Sequence, residues 1–199
     1  MKKIALLGSL IVMFSGCTKV QPYVKQYKIN TTIAIETHKQ TQCKKQSVKV
    51  LDAFSKNDLM LEKMYYVHGA YNVASYTQSQ WSERPNKAIS AAIMRAIEDS
   101  QLFKDVSSTA SSVKSDLILE NNIEEFIQYF SKDNTKSYVK VVIKATLVDR
   151  KTKITIASKK FEKQRATQSL DAYGGVVALS QTLSEILEEE VQWLGSECQ

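Results

Sequence analysis

The residue of this sequence with the clearest chemical role is Cys17, because a thiol can be converted to a thioether and so carry a lipid. Residues 14–17 read Phe-Ser-Gly-Cys and close an apolar run over residues 4–14 that follows Lys2 and Lys3. A basic start, a short apolar run and small residues before a cleavage point are the parts of a secretory signal. At ~1.5 Å per residue the run spans roughly 16 Å, too short for a ~30 Å hydrocarbon core. The pattern predicts cleavage before Cys17 and acylation of its sulfur.

Residues 14–17 resemble the lipobox of bacterial lipoproteins, with phenylalanine in place of the common leucine. The resemblance implies that residues 1–16 are a lipoprotein signal peptide and that Cys17 becomes the first residue, carrying diacylglycerol with acyl chains such as palmitate. At about 0.8 kcal/mol per buried CH₂, two or three chains anchor a protein stably. Because Thr18 stands where an aspartate would favour the inner membrane, we expect an outer-membrane anchor facing the periplasm. The alternative is an ordinary signal cleaved near Gly16, which leaves a soluble protein.

The two remaining cysteines, Cys43 and Cys198, are candidates for a disulfide bond. An exported protein meets an oxidising compartment in which disulfides persist. A bridge between them would close a long loop and, in the chain-entropy model, stabilise the fold by roughly 4 to 5 kcal/mol. The alternative is a pair of unrelated free thiols, one of them on a frayed tail.

Length and composition predict one globular domain after the signal. The chain has 199 residues, 43% hydrophobic and 24% charged, and no second apolar run approaches the length of a membrane span. We expect residues 17–28 to form a lipidated N-terminus with a short tether, and residues 29–199 to form a single α+β domain. The net charge of +6 comes from lysines spread along the chain. This distribution does not indicate nucleic-acid binding.

Alternating apolar side chains predict strands in the first third and the middle of the chain. Residues 27–37 alternate with period two through β-branched side chains, which is typical of a strand. Apolar positions change phase near Glu124 and Glu125, which predicts a β-bulge. The other predicted strands or extended segments are 48–51, 64–76, 116–130, 138–149 and 153–161. The last three, joined by polar turns, predict an antiparallel meander.

Two helices are predicted from apolar side chains at helical spacing. The first begins near residues 82–85, where Ser82 can cap the N-terminus and Pro85 is tolerated in the first turn. The second runs from about 171 to 193, and the glycines at 174–175 predict a close backbone approach. The predicted buried positions are Ala88, Ile89, Ala92, Ile93, Ala96, Ile97, Val176, Leu179, Leu183, Ile186, Leu187, Val191 and Leu194. Together these elements predict an α+β fold, with a mixed, largely antiparallel sheet and two amphipathic helices packed on one face.

The sequence lacks the motifs of the common catalytic sites. It has no G-x-x-x-x-G-K-[ST] phosphate loop, no G-x-S-x-G nucleophile elbow and no H-E-x-x-H zinc pair. His38 and His68 lie in or beside predicted strands without a neighbouring carboxylate pattern, which favours surface or structural roles. The glutamates at 188–190 are predicted to form a solvated helix face. We therefore expect no enzyme activity, no metal and no cofactor.

Four segments together resemble the ABC-type transport auxiliary lipoproteins. Residues 76–85 read Tyr-Thr-Gln-Ser-Gln-Trp-Ser-Glu-Arg-Pro before a helix, and the element from Trp81 to Pro85 is the most specific part. The other segments are the Asp-Leu-Ile-Leu strand at 116–119, the hairpin at 147–153 and Val-Gln-Trp-Leu at 191–194. The resemblance covers roughly residues 27–194.

This resemblance implies a periplasmic lipoprotein that works with an ABC permease, an ATPase and a mammalian-cell-entry (MCE) type substrate-binding protein. Such systems move phospholipid or other hydrophobic compounds across the cell envelope. The subunit is expected to act by binding partners, with energy from the separate ATPase, and it can form a ring of copies. Tyr76, Trp81 and Pro85 are the candidate partner contacts, although Trp81 can instead anchor the core. The alternative function is a structural or assembly lipoprotein of another envelope machine.

Overall fold

The computed structural model describes residues 23–34 and 42–198. The predicted signal peptide, Cys17 and His38 lie outside these residues. The strands are β1 (Lys25–Tyr27), β2 (Ser47–Val50), β3 (Phe54–Ser55), β4 (Lys63–His68), β5 (Asn72–Trp81), β6 (Asp105–Ser108), β7 (Leu117–Phe130), β8 (Ser137–Asp149) and β9 (Thr155–Ala166). The helices are α1 (Pro85–Ser100) and α2 (Ala172–Glu197).

The sheet is organised around β7. One edge of β7 pairs antiparallel with β8 from Leu117 to Phe130. The other edge pairs parallel with three shorter strands in turn, β2, β3 and β4. The pairing of β7 with β8 shifts register between Ile123 and Glu125, so the predicted bulge is confirmed. An extra residue there lets apolar side chains on both sides of the shift face the core.

The remaining strands extend this arrangement on both sides. β9 pairs antiparallel with β8, which confirms the predicted meander. On the other side β6 adds to β2, β5 adds to β4 through a hairpin, and β1 adds to the far edge of β5. The fold is thus α+β with a mixed sheet in which most paired residues are antiparallel. Strand β6 and the parallel pairs were not predicted, because they depend on contacts between distant segments.

Both helices pack on the sheet with the faces predicted for them. In α1 the buried side chains include Ile89, Ile93 and Ile97, and in β8 every second residue from Val139 to Leu147 is at most 1% exposed. The prediction that Ser82 caps α1 is wrong, because the helix starts at Pro85 after Arg84, which has no side-chain cap bond. Ser82 instead continues the pairing of β5 with β1, since its amide donates to the Tyr27 carbonyl.

Helix α2 is buried on most of its surface. Asp171 caps its N-terminus by accepting a hydrogen bond from the Gly174 amide at 2.8 Å. A Cβ on Gly175 would lie 2.0 Å from Gln128 Oε1 on β7, so this glycine permits the close approach that the sequence predicts. All seven apolar positions predicted for this helix are buried. No helix within the described residues is long and apolar enough to cross a membrane.

The segment 28–34, which we call the strap, does not form the strand predicted over residues 27–37. Only Lys25–Tyr27 pair with the sheet, so β1 also lies inside the predicted tether 17–28. The strap is extended along α2, and its alternate backbone amides donate to helix side chains. The three pairs are Asn30 to Ser180 Oγ (3.2 Å), Thr32 to Ser184 Oγ (3.1 Å) and Ala34 to Glu188 Oε1 (2.9 Å). Two extended residues and four helical residues both advance roughly 6 to 7 Å, so the two repeats match.

A disulfide joins Cys43 to Cys198, the residue that follows α2, with the two Cα atoms 5.2 Å apart. Both cysteines are buried in the core. The chain therefore enters beside the start of α2, follows the helix through the strap, and is fastened at the end of the helix.

Glu190 departs from the predicted solvated face of α2. Its side chain is 0% exposed and faces the buried side chain of Asn121 on β7, without a hydrogen bond of ordinary geometry between them. Burial raises the pKa of Glu190 to about 7, and Asn121 offsets part of that increase. Glu190 stands three residues after Leu187 and four before Leu194, so its position in the apolar stripe accounts for its burial.

We expect the disulfide to contribute about 5 kcal/mol to the free energy of unfolding, since it closes a loop with a sequence separation of 155. The double variant Cys43→Ser with Cys198→Ser should lose this free energy of unfolding. Its urea midpoint should therefore fall by that free energy divided by the m-value. Peptide mapping without reductant should recover the two cysteine peptides as one cross-linked species. Complete alkylation of both thiols in unreduced protein would contradict the bridge.

The stability of the domain should fall as the pH rises from about 4.5 to about 7. In that range the folded state keeps the Glu190 proton while the unfolded chain loses it, so the unfolded state is favoured increasingly with pH. Glu190→Gln should remove this dependence and stabilise the domain at pH 8 by about 3 kcal/mol, measured by urea unfolding across pH. The control is Glu197→Gln, at an exposed position of the same helix. An unchanged pH profile in Glu190→Gln would contradict the buried titration.

Candidate functional site

The predicted attachment point, Cys17, lies outside the described residues, and its acylation stays a prediction. The described chain begins at Tyr23, six residues later. Six extended residues span at most about 21 Å. A membrane anchor at Cys17 would therefore hold the start of β1 close to the membrane surface.

Two of the three candidate partner contacts have buried side chains. Trp81 is 5% exposed and contacts the Phe126 ring at 6.0 Å between ring centroids. Pro85 is buried in the first turn of α1. The extended strand followed by a helix therefore contributes these two side chains to the core, which agrees with the alternative role of Trp81 as an anchor.

Tyr76, the third candidate, is half-buried and its hydroxyl is engaged. It donates to Gln128 Oε1 at 3.0 Å, and the Gln128 amide nitrogen donates to Ser137 Oγ at 2.8 Å. Burial raises the pKa of Tyr76, and the neighbouring Tyr66 adds to the increase. Of the nearby tyrosines in the sequence, Tyr65 and Tyr66 are partly buried and Tyr71 is 95% exposed. Tyr76 therefore positions α2 on the sheet rather than presenting a free contact.

The glutamates of α2 form an ion-pair cluster with the edge of the sheet. Lys163 Nζ on β9 lies 2.8 Å from Glu189 Oε1 and 3.8 Å from Glu185 Oε2. Arg165 on the same strand also pairs with Glu185. Because Glu188 binds the strap and Glu190 is buried, the predicted solvated face of this helix is wrong. These contacts cover the helix side of the sheet.

The opposite face of the sheet has no helix of the described chain on it, and it carries alternating charges. Lys140 Nζ lies 3.2 Å from Glu125 Oε2 and 3.0 Å from Glu162 Oε1. Lys160 Nζ lies 2.6 Å from Glu124 Oε2. These pairs are half-exposed, so each contributes little to stability and leaves its charges accessible to another protein.

Four residues on this open face form a single row across four strands. The strand registers pair Phe54 with Asn122, Asn122 with Lys144, and Lys144 with Lys160. Neighbouring strands are ~4.8 Å apart, so the row spans roughly 14 Å. Phe54 is 69% exposed and borders a groove of about 290 Å³ that Lys144 also lines. Exposed aromatic side chains are enriched in protein interfaces, and charged residues such as Lys144 belong to the polar rim of such surfaces.

Sequence reasoning missed this open-face row. Phe54 belongs to a two-residue strand, too short for any period to be read. The one signal was a large aromatic residue, Phe54, directly before the polar residues 55–58. Its proximity to Lys144 depends on β3 pairing with β7, which no local pattern predicts.

Within the described part of the chain, no group of three or more His, Cys, Asp or Glu side chains could hold a metal ion. The groove on the helix side, about 360 Å³ between α1 and the end of β2, is lined by Val50, Leu51, Ser90 and Met94 among others. The Ser90 hydroxyl in this lining donates a hydrogen bond to the Asn86 carbonyl at 2.7 Å.

Comparison with known proteins identifies relatives of this fold. The family model described as "ABC-type transport auxiliary lipoprotein component" matches residues 27–189. A crystal structure of a Xanthomonas campestris protein of family DUF330 has a TM-score of 0.75 at 17% identity, covering 87% of this chain and 96% of that one. The crystal structure of an uncharacterized protein has a TM-score of 0.64 at 10% identity, covering 86% and 99%. Among curated proteins, no match to this chain is found.

At these identities the solved structures show a shared fold alone, and the family match carries the assignment. It spans the strap, the sheet, α1 and most of α2. The chain therefore belongs to the family of ABC-type transport auxiliary lipoprotein components.

Proposed function

We propose that this protein is a lipid-anchored, periplasm-facing auxiliary subunit of an ABC-type transport system built on an MCE-type substrate-binding protein. Such a system moves phospholipid or other hydrophobic compounds across the envelope. The observation that carries the proposal is the family match over residues 27–189. The residues of the Cys17 signal support the anchor, and Thr18 favours the outer membrane.

The subunit works by binding rather than by catalysis. The sequence has no phosphate loop, so energy for transport comes from a separate ATPase. The described domain contributes a rigid α+β body whose helix side is occupied by α2 and the strap. The open face of the sheet is therefore the surface that remains for a partner.

The open-face row is the surface that we assign to the transport partner. Phe54 supplies exposed aromatic area, and Lys144 supplies a cation that forms no ion pair within the described residues. Exposed aromatic side chains are enriched in protein interfaces. Lys144 favours a partner with an acidic side chain at the matching position.

Cys17→Ser should leave an unacylated precursor that still carries its signal, because the acylated sulfur is required for cleavage at a lipobox. Intact mass and partition between membrane and soluble fractions measure this. Ser15→Ala is the matched control, since it keeps the Cys17 thiol and a small residue before the predicted cleavage point. Normally processed Cys17→Ser protein in the soluble fraction would mean that the signal is an ordinary secretory one.

The double variant Phe54→Ala with Lys144→Glu should co-purify less with the MCE-type subunit. The Kd of the complex should rise by at least about tenfold, which corresponds to about 1.4 kcal/mol. The reason is the loss of the aromatic anchor and the reversal of its neighbouring charge. The control pair is Val113→Ala with Lys87→Glu, which changes an exposed apolar residue and an exposed lysine elsewhere. Equal weakening by the control pair would remove the row from the interface. Association with other envelope proteins and not with an MCE-type subunit would instead favour the assembly role.

A further inference from the structure

The start of the described chain lies beside the first turn of α2. The rings of Tyr27 and Tyr173 are 6.4 Å apart between centroids. The pKa of Asp171 is lowered by hydrogen bonds from the Gly174 amide and the Ser169 hydroxyl, and further by the charge of Lys25. Lys25 on β1 is thus a neighbour of the α2 N-terminus. Residues far apart in sequence form one surface at this point.

This surface, which we call the proximal patch, consists of Tyr23, Lys25, Lys28, Leu170 and Tyr173. Its three large side chains are unusually exposed, at 83% for Tyr23, 50% for Leu170 and 59% for Tyr173. Both lysines are exposed as well. Tyrosine has an apolar ring with a polar tip, and such side chains settle where one end is apolar and the other wet.

The charge of the proximal patch suits an anionic surface. Lys25 and Lys28 contribute two positive charges, and basic side chains near a membrane surface are attracted to anionic headgroups. The nearby Asp171 carboxylate keeps its negative charge while it accepts hydrogen bonds from the Gly174 amide and the Ser169 hydroxyl at 2.8 and 2.6 Å, so the two lysines and Asp171 together carry a net charge of +1. The acidic side chains farther along α2 face Lys163, Arg165 and the strap instead.

The position of the patch in the chain indicates that its binding partner is the membrane. Tyr23 belongs to the patch and is six residues from Cys17, within about 21 Å. Cys198, at the far end of α2, is roughly 39 Å from the first turn by helix length. A membrane that holds Cys17 is therefore within reach of the patch, and the disulfide lies at the opposite end of α2 from the patch.

We propose that the proximal patch docks into the headgroup layer of the membrane that Cys17 anchors, with Tyr23, Leu170 and Tyr173 at the interface and both lysines on anionic headgroups. The inference rests on the proposed function for the anchor alone. Docking fixes the orientation of the domain on the membrane. The α2 N-terminus faces the lipid, and the disulfide end points away from it.

A tryptophan reporter tests the docking. The two native tryptophans are buried, at 5% for Trp81 and 7% for Trp193, so their signal serves as background. Acylated Tyr173→Trp protein is reconstituted into vesicles of phosphatidylethanolamine and phosphatidylglycerol that contain brominated phosphatidylcholine. Ile154→Trp is the matched control, since Ile154 is 65% exposed in the β8–β9 turn at the other end of the sheet. We expect quenching at position 173 several-fold stronger than at position 154.

Lys25→Glu with Lys28→Glu, in the Tyr173→Trp background, should reduce that quenching, as should replacement of phosphatidylglycerol by phosphatidylcholine. Equal quenching at both positions, or none at 173, overturns the docking. Protection of position 173 from aqueous iodide without quenching by bromolipid also overturns it, because another protein or a second copy then covers the patch. Two separate measurements test the anchor: vesicle flotation shows whether the protein is attached to the membrane, and the mass of the N-terminal peptide shows whether Cys17 is acylated. Flotation without quenching at 173 therefore rejects the docking and leaves the anchor intact.

Discussion

The structure depends on how both edges of β7 are paired. A strand of 14 residues in the middle of a sheet exposes two rows of backbone donors and acceptors, and buried groups of this kind must find partners. β8 satisfies one row over its whole length, because the two strands follow each other in a hairpin. No single segment satisfies the other row, which is divided among β2, β3 and β4. The first half of the chain is thus arranged along β7 in sequence order.

This division creates both surfaces to which we assign function. It places the two-residue strand β3 beside the middle of β7, so that Phe54 stands next to Asn122 on the open face. It also carries β5 outward on β4, so that β1 finds a free edge near the start of α2. The contact surface for a partner and the surface near the anchor are then separate. A lipoprotein can hold a membrane and a transport partner at once in this way.

Helix α2 shows how one element meets competing demands. Its apolar stripe packs on the sheet, its hydroxyls and Glu188 accept hydrogen bonds from the strap, and Glu185 and Glu189 pair with β9. The strap gains hydrogen bonds that a strand would otherwise obtain from a neighbouring strand. Ordering such a segment costs about 1 to 2 kcal/mol per residue, and side-chain acceptors alone offset only part of that cost. Burial of Ile29 and the disulfide after the strap supply further stabilisation.

Elements with local sequence patterns could be predicted before the structure was known. These patterns are the alternation of β8, the helical stripes of α1 and α2, the phase change at residues 124–125 and the glycines at 174–175. The other features depend on contacts between distant segments. Alternation in residues 28–34 fits either a strand or a strap, and the choice followed from acceptors about 150 residues away. Likewise, the burial of Trp81 and Glu190 and the exposure of Phe54 depend on which distant strand or helix packs against each residue, because burial is a property of neighbours in space.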